Sequence, residues 1–471
     1  MYAADVVIVG AGPTGLTLAV DLARRGVAAR VLDARPEDFF TGSRGNGLQP
    51  RTLEVFDDLG MVDPILATAE VYPPVRVYVG RVPVYRARQR EPTVPTPAVP
   101  YPVPMVQPQW RTERILRDRL ARLGGMVEHD TEVTAFTQDD DGVTVTVGSG
   151  ETVRARYLVG ADGGRSIVRK TLGIGFVGET RDAERLVLGD VTITGLRRDA
   201  WQLWVRPLKK QVKISIWPVP GTAYFRLSAP VAPGGMPDLT LAGFQRLLTE
   251  RTGRRDLTVT DVAAPSEYRV NIRLAERYRV GRVFIAGDAA HVQSAAGSQG
   301  LNTGVQDAYN LGWKLARVLA GAPASLLDTY EAERLPIARD ALGLSTELLD
   351  KKPLKHDERT TQLDLSYRDG PLASGARGGD RAPDAPCTTA DGRPTRLFDV
   401  FRGPRPTLLS LDGRPAPDGV PTYRIGTDLL DNSGHVRDAY GDTGYVLVRP
   451  DGYIGIDTTV ADDVTAYLAR I

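Results

Sequence analysis

The stretch from Asp5 to Asp33 limits the fold more than any other part of the chain. Val6-Val7-Ile8-Val9, an apolar β-branched run, enters Gly10-Ala11-Gly12-Pro13-Thr14-Gly15, after which Leu16, Ala19, Val20 and Ala23 recur at helical spacing. Gly26 stops that helix, Ala28 to Leu32 reads as a second buried strand, and Asp33 ends it. This is the layout of a dinucleotide-binding fingerprint. Gly10 permits the tight turn, Gly12 lets the backbone approach a pyrophosphate, Gly15 brings helix against strand, and the acid takes ribose hydroxyls. The helix start faces the phosphates with unpaired N–H groups and a partial positive charge. Asp33 would serve NAD or FAD equally well, so this stretch leaves the dinucleotide open.

At 471 residues the chain is long enough for two or three domains and for a large core without staples. Its 59 basic and 58 acidic residues balance, with no long block of one sign, so neither nucleic acid nor an anionic membrane is expected as a partner. The single cysteine, Cys387, excludes an internal disulfide and a CxxC pair. Histidines at 129, 291, 356 and 435 have no metal-ligand spacing, and no metal site is expected. The N-terminus enters a core strand at once and no apolar run approaches membrane-spanning length, which predicts a soluble cytoplasmic protein.

After Arg35-Pro36 comes a glycine-containing loop to Ser43-Arg44-Gly45, then a helix through Arg51, Leu53, Val55, Phe56 and Leu59. Arg44 at the loop mouth could reach cofactor phosphate or substrate, or stay a solvated surface residue. Residues 72 to 108 are unusual, with prolines recurring every two to four residues from Pro92 to Pro108. Such a run fits neither a helix nor a central strand, and reads as an extended crossing segment or sheet edge rather than a ligand for a peptide-binding partner. A helix resumes at Thr112 to Leu123, and the strands Glu132 to Thr137 and Val143 to Val147 form a hairpin. Tyr157 to Gly163 is a further buried strand ending in Asp162-Gly163. From Leu186 to Ala229 the period becomes two, with Trp201, Leu203 and Val205 alternating with Gln202, Trp204 and Arg206: an antiparallel sheet carrying three of the five tryptophans. Its rings are either core or a stacking surface for a flat aromatic ligand.

A second cofactor stretch follows. Gly281 to His291 is strand, glycine and acid (Gly287-Asp288), and after the small-residue loop Gly297-Ser298-Gln299-Gly300 a long helix carries Val305, Ala308, Leu311, Leu315 and Val318. An acid at a strand end beside a second glycine-rich helix start suits a polyol and a second anionic group. FAD has both, in its ribityl chain and its reduced isoalloxazine; NAD has no polyol.

Taken in order, Gly10-x-Gly12-x-x-Gly15, Asp162-Gly163-Gly164-Arg165-Ser166-Ile167-Val168-Arg169, Gly287-Asp288-Ala289-Ala290-His291 and Gln299-Gly300-Leu301-Asn302-Thr303-Gly304-Val305-Gln306-Asp307-Ala308 resemble the signatures of the single-component FAD aromatic hydroxylases. This is the p-hydroxybenzoate hydroxylase superfamily, within which the chain looks most like bacterial aromatic-polyketide hydroxylases and rifampicin monooxygenases. The resemblance spans roughly residues 4 to 345. It implies an α/β fold: a Rossmann-type FAD-binding domain (1–71, 109–175, 270–345) interleaved with an antiparallel-sheet substrate domain (72–108, 176–269). A helical connector (346–375) and a thioredoxin-like C-terminal domain without CxxC (376–471) would follow. FAD contacts are implied at Gly10, Gly12, Pro13, Thr14, Gly15, Asp33, Ala34, Arg35, Arg44, Gln109, Asp162, Gly163, Gly287, Asp288, Gly300, Leu301 and Asn302. Of these, Asp33 would hold ribose, Asp288 the ribityl chain, and the Leu301 and Asn302 N–H groups the flavin pyrimidine edge.

The implied reaction takes hydride from NADPH or NADH and adds molecular oxygen to give a flavin C4a-hydroperoxide, which hydroxylates a flat aromatic substrate. No catalytic base is identified. Two departures from the family pattern stand out. Gln293-Ser294-Ala295-Ala296 replaces the usual proline segment, and Asp33 replaces the commoner glutamate. A halogenase is disfavoured because its WxWxIP segment is missing. Baeyer-Villiger oxygenation, or sequestration of an aromatic antibiotic without turnover, are the alternatives. With one cysteine the C-terminal piece is read as structural, an assembly surface suited to a homodimer.

Overall fold

A computed structural model describes the chain except residues 1, 41, 43–44, 89–92, 207–210, 233 and 352–357, and at 182–183 it describes the backbone alone. Arg44, Pro92 and His356 lie outside the described residues. Strand Ala4–Val9 is the centre of the first sheet. Val6, Val7 and Ile8 are wholly buried, as a parallel strand covered on both faces requires. It pairs in parallel with Ala29–Leu32 on one side and Thr152–Gly160 on the other, and the latter pairs in parallel with Val283–Ile285. Gly10, Asp33, Asp162 and Gly287-Asp288 therefore emerge at the same, carboxyl-terminal edge of four parallel strands. Ligands of open parallel sheets bind at that edge.

The second sheet has eight strands, in the order 291–292, 258–275, 176–194, 225–230, 211–218, 201–206, 75–79 and 82–87. It is not wholly antiparallel as expected. Val75–Val79 pairs in parallel with Trp201–Arg206, a strand more than a hundred residues later in the chain to which no hairpin joins it. Val82–Ala87 forms the exposed edge. One face packs Trp204, Ile214, Ile216, Phe225 and Leu227 under Phe244 and Leu248 of helix Leu241–Thr252. Gln202 is buried there as well, where it accepts from the Tyr78 hydroxyl and donates to the Arg197 carbonyl. The opposite face carries Val75, Val77, Trp201, Leu203 and Val212. The tryptophans thus divide: Trp204 stacks on Tyr78 in the core, while Trp201 and Trp217, half-buried and 6.4 Å apart, lie on the other face.

The expected helical connector is corrected. Helix Asp328–Lys351 runs into it, but beyond that only the turn Glu358–Thr361 is helical among the described residues of 346–375. Gly370, Pro371 and Gly375 interrupt the rest. The C-terminal piece holds a mixed sheet ordered 422–424, 407–410, 445–448, 454–458, closed by helix Ala461–Leu468. Residues 411–421, with Pro415, Pro417 and Pro421, join its parallel pair as a loop, where a thioredoxin-like unit has a helix. Burial, with Asp384, Asp431 and Asp399 nearby, pushes the Cys387 thiol up to about 11, as suits a packing residue and not a nucleophile.

Among the described residues no helix is long and apolar enough to cross a membrane, and no group of His, Cys, Asp and Glu has the geometry to hold a metal.

Candidate cofactor cleft

The two distant glycine stretches meet. Thr14, in the first turn of helix Pro13–Arg24, is wedged against Gly287 and against Gly304 of helix Gly300–Leu319. A Cβ on either glycine would lie 2.4 Å from the Thr14 hydroxyl, so only glycine allows this approach. Both helix starts lack a side-chain cap, which leaves their first N–H groups without intrahelical partners at the same cleft. Asp162 accepts from the Ile167 and Val168 N–H groups through one carboxylate oxygen. Its other oxygen is buried without a partner, and burial raises its carboxyl above the ordinary range. Asp288 is different: its residue surface is open to solvent although protein surrounds it, the situation of a group on a cleft floor. The enclosing protein raises its carboxyl, with His291 opposing.

Other expected contacts are committed within the protein. The Asp33 carboxylate is buried, accepts the Ala11 N–H at 2.7 Å and pairs with Arg35 at 2.7 Å, so it braces the glycine turn from behind. Burial opposes these bonds, but Arg35 and the Ala11 amide hold its carboxyl below the ordinary range. Ala34 is exposed beside it. Gln109 accepts the Gly45 N–H at 3.0 Å and donates to Glu113, fixing the loop before Gly47. The Asn302 amide is wholly buried and stitches the helix start to the Gly47 carbonyl, the Ser298 carbonyl and the Gln49 N–H. Its backbone, like that of Leu301, lies in the first turn of the uncapped helix.

The sequence reading carried Asp307 inside its last motif but gave it no role. Fully buried, it accepts the Gly287 N–H at 3.0 Å, faces His291 Nε2 at 2.7 Å and pairs with Arg334 at 2.8 Å. It therefore sets the turn from which Asp288 projects. A charged residue inside the apolar stripe Val305, Ala308, Leu311 was the available signal. A surface groove of about 590 Å³ lined by Arg279, Asp328, Glu331 and Pro336 contains none of these residues and is separate from the cleft.

The donor set fits FAD: two uncapped helix starts for anionic groups, an open carboxylate for hydroxyls, and an unpaired oxygen on Asp162. Comparison with known proteins agrees. Residues 3–345 match the FAD binding domain family, and residues 376–471 match the aromatic-ring hydroxylase C-terminal family. The chain belongs to the FAD-dependent aromatic-ring hydroxylases. This hydroxylase is 48% identical to a flavin-dependent monooxygenase of Mycobacteroides abscessus over 99% of both chains. It is 39% identical to a rifampicin monooxygenase of Streptomyces venezuelae, covering 96% of this chain and 94% of that one. Aklavinone-11 hydroxylase, solved with FAD and aklavinone, superposes with a TM-score of 0.84 at 28% identity, over 100% of this chain and 99% of its own. The hydroxylase is accordingly an FAD-binding, flavin-dependent monooxygenase.

Two glycines separate packing from binding in this hydroxylase. A Cβ on Gly15 would sit 1.9 Å from the Gly10 carbonyl oxygen, whereas one on Gly12 meets nothing within 4 Å. Gly15→Ala is expected to cost the FAD-free protein about 2 kcal/mol. Gly12→Ala should leave it as stable as the native chain but unable to bind FAD tightly. Thermal unfolding without FAD, followed by FAD titration, reads the two effects apart.

Proposed function

We propose that the chain is an FAD- and NAD(P)H-dependent monooxygenase that hydroxylates a large, flat aromatic polyketide or antibiotic. The observation that carries this reading is the convergence of two uncapped helix starts and the open Asp288 at one cleft, with a sheet face bearing Trp201 and Trp217 in the same molecule. Bound FAD, reduced by NADPH or NADH, would supply the activation of molecular oxygen.

The chain's own share is binding and shielding. In this reading, residues 1–71, 109–175 and 270–345 hold the cofactor, and 72–108 with 176–269 hold the substrate. The N–H groups after Gly12 bind pyrophosphate, and Asp33 with Arg35 fixes the turn and the ribose edge. Asp288 accepts from ribityl hydroxyls. The Leu301 and Asn302 N–H groups bind the pyrimidine edge, where the helix dipole favours negative charge. The sheet face covers the reacting ring and excludes water. Relatives named for rifampicin and aklavinone support a polycyclic substrate over a small benzoate. Assembly as a homodimer through the C-terminal piece belongs to the same reading, and light scattering of the purified protein tests it.

The decisive experiment follows NADPH and NADH oxidation, oxygen uptake and product mass with a panel of naphthoquinones, tetracyclines and ansamycins. At least one should stimulate oxidation and gain one oxygen atom. Binding with no stimulated turnover would sink this reading in favour of sequestration. A ring-expanded product, distinguished by NMR, would replace hydroxylation with a Baeyer-Villiger outcome.

A further inference from the structure

Four non-glycine residues among those described have a left-handed backbone: Asp130, Ala264, Ser298 and Gln362. Three of them pack around the cleft. The Ala264 methyl lies against Gly42, the Ser298 side chain against Gly47, and the Gln362 amide donates to Gln299 beside the helix start. Of the three, Ser298 alone carries a hydroxyl, at φ 54°. This backbone is unfavourable for any residue with a Cβ and would be free of strain in glycine, and such outliers concentrate where a side chain is needed.

The Ser298 Oγ lies 3.2 Å from the Tyr72 hydroxyl, and both residues are half-buried. A Cβ on Gly47 would fall 2.3 Å from the Tyr72 oxygen and 2.7 Å from the Ser298 oxygen, so the two hydroxyls sit directly on that backbone. Ser298 stands two residues before helix Gly300–Leu319. Tyr72 stands two residues before Pro74, whose carbonyl accepts the Trp201 N–H at 2.9 Å. The pair thus bridges the seam between the helix start and the sheet strand that carries Trp201. A serine hydroxyl with one donor and two acceptor positions can bond a further oxygen while keeping Tyr72. The pair is uncharged, and Arg226 on the same sheet is paired with Asp190 at 3.0 Å, so the oxygen it suits is neutral.

We propose that the Tyr72 and Ser298 hydroxyls together hold a phenol oxygen of the aromatic substrate, selecting neutral polycyclic phenols. This rests on the function proposed above. The test uses the oxidised FAD-loaded protein without reductant, and reads binding of juglone and of naphthoquinone, which lacks its hydroxyl, from the perturbed flavin absorbance. The native protein should bind juglone about tenfold more tightly, the contribution of one hydrogen bond. Ser298→Ala, Ser298→Gly and Tyr72→Phe should each abolish that preference while keeping FAD affinity within about twofold. Ser298→Gly should melt no lower than Ser298→Ala, because it releases the backbone. If Ser298→Gly and Tyr72→Phe bind FAD and still prefer juglone, the pair does not hold the oxygen, and this proposal alone fails. If the native protein binds neither quinone, the aromatic-substrate reading fails and the proposal with it.

Discussion

Asp288→Ala should purify colourless, bind added FAD more than a hundredfold more weakly than the native protein, and unfold at an unchanged temperature when FAD is absent. The asymmetry follows from what the carboxylate touches. Among the described residues Asp288 takes part in no hydrogen bond or ion pair, and its surface opens to solvent inside the protein. Removing it therefore breaks no protein contact and relieves a carboxylate that burial disfavours. Toward FAD, two hydrogen bonds from ribityl hydroxyls to a charged oxygen, at about 1.5 kcal/mol or more each, amount to about 3 kcal/mol, which is the expected hundredfold. Fluorescence titration of the FAD-free protein measures the affinity and calorimetry the unfolding. Native affinity in Asp288→Ala would mean that the cleft holds its ligand elsewhere. Asp307→Ala should behave in the opposite way, losing stability with or without FAD, since it takes the partner from the Gly287 N–H and His291 Nε2 and the ion pair from Arg334.

The largest loss of stability is expected from Glu333→Ala, about 3–5 kcal/mol, the usual result of stripping one member from a buried ion pair. Glu333 pairs with Lys314 at 2.7 Å and with Arg449 at 2.6 Å, and Asp451 completes the cluster at 2.6 Å from Arg449, with all four side chains essentially inaccessible. Asn310 and Trp313 supply further donors to Glu333 and Asp451. Through this cluster the C-terminal piece docks on helices Gly300–Leu319 and Asp328–Lys351. One residue further along the second helix, Arg334 reaches Asp307 and the Tyr367 hydroxyl, so the docking site adjoins the cofactor turn.

Burial alone would raise the Glu333 carboxyl, but Arg449 and Lys314 outweigh it and hold the group well below the ordinary carboxylate range. Because the folded value is depressed, this contribution is complete above the ordinary range near pH ~4 and disappears as the pH falls through the folded value. Burial, only partly offset by Glu333, brings Lys314 down to about 8. A depressed base works in the reverse sense: the penalty for its buried charge persists below about pH 8 and is relieved as the pH rises toward the ordinary lysine value. Urea unfolding from pH 7 to 3 should therefore show a steeper acid loss in the native chain than in Glu333→Gln. Equal slopes would exclude Glu333 as a source of the acid sensitivity.

Strand, turn and helix at residues 4–33, and the second acid-and-glycine stretch near 288, were legible because their constraints are local. β-branched runs, helical periodicity and positions that admit only glycine are properties of neighbours in the chain. The sheet between 186 and 229 was legible for the same reason, through its period of two. Its parallel strand was not, because Val75–Val79 finds its place through Trp201, more than a hundred residues away. The same limit applied inside the cleft. Local spacing marked Asp33 and the family resemblance marked Gln109 and Asn302, but only folding turned their side chains inward, onto Ala11, Gly45 and Gly47, and left Asp288 facing out.

The amino-acid sequence by itself determined that two glycine-rich helix starts and their acids exist and that they suit FAD. Tertiary structure decided that they converge at Thr14, that Asp307 holds the turn before Asp288, and that Ser298 meets Tyr72. Each of those contacts joins groups brought together from elsewhere in the chain, and an uncharged hydroxyl or a buried carboxylate carries no local mark of the partner it will meet. What fixes the partner is the exclusion of water, which leaves a buried polar group only the neighbours that packing supplies.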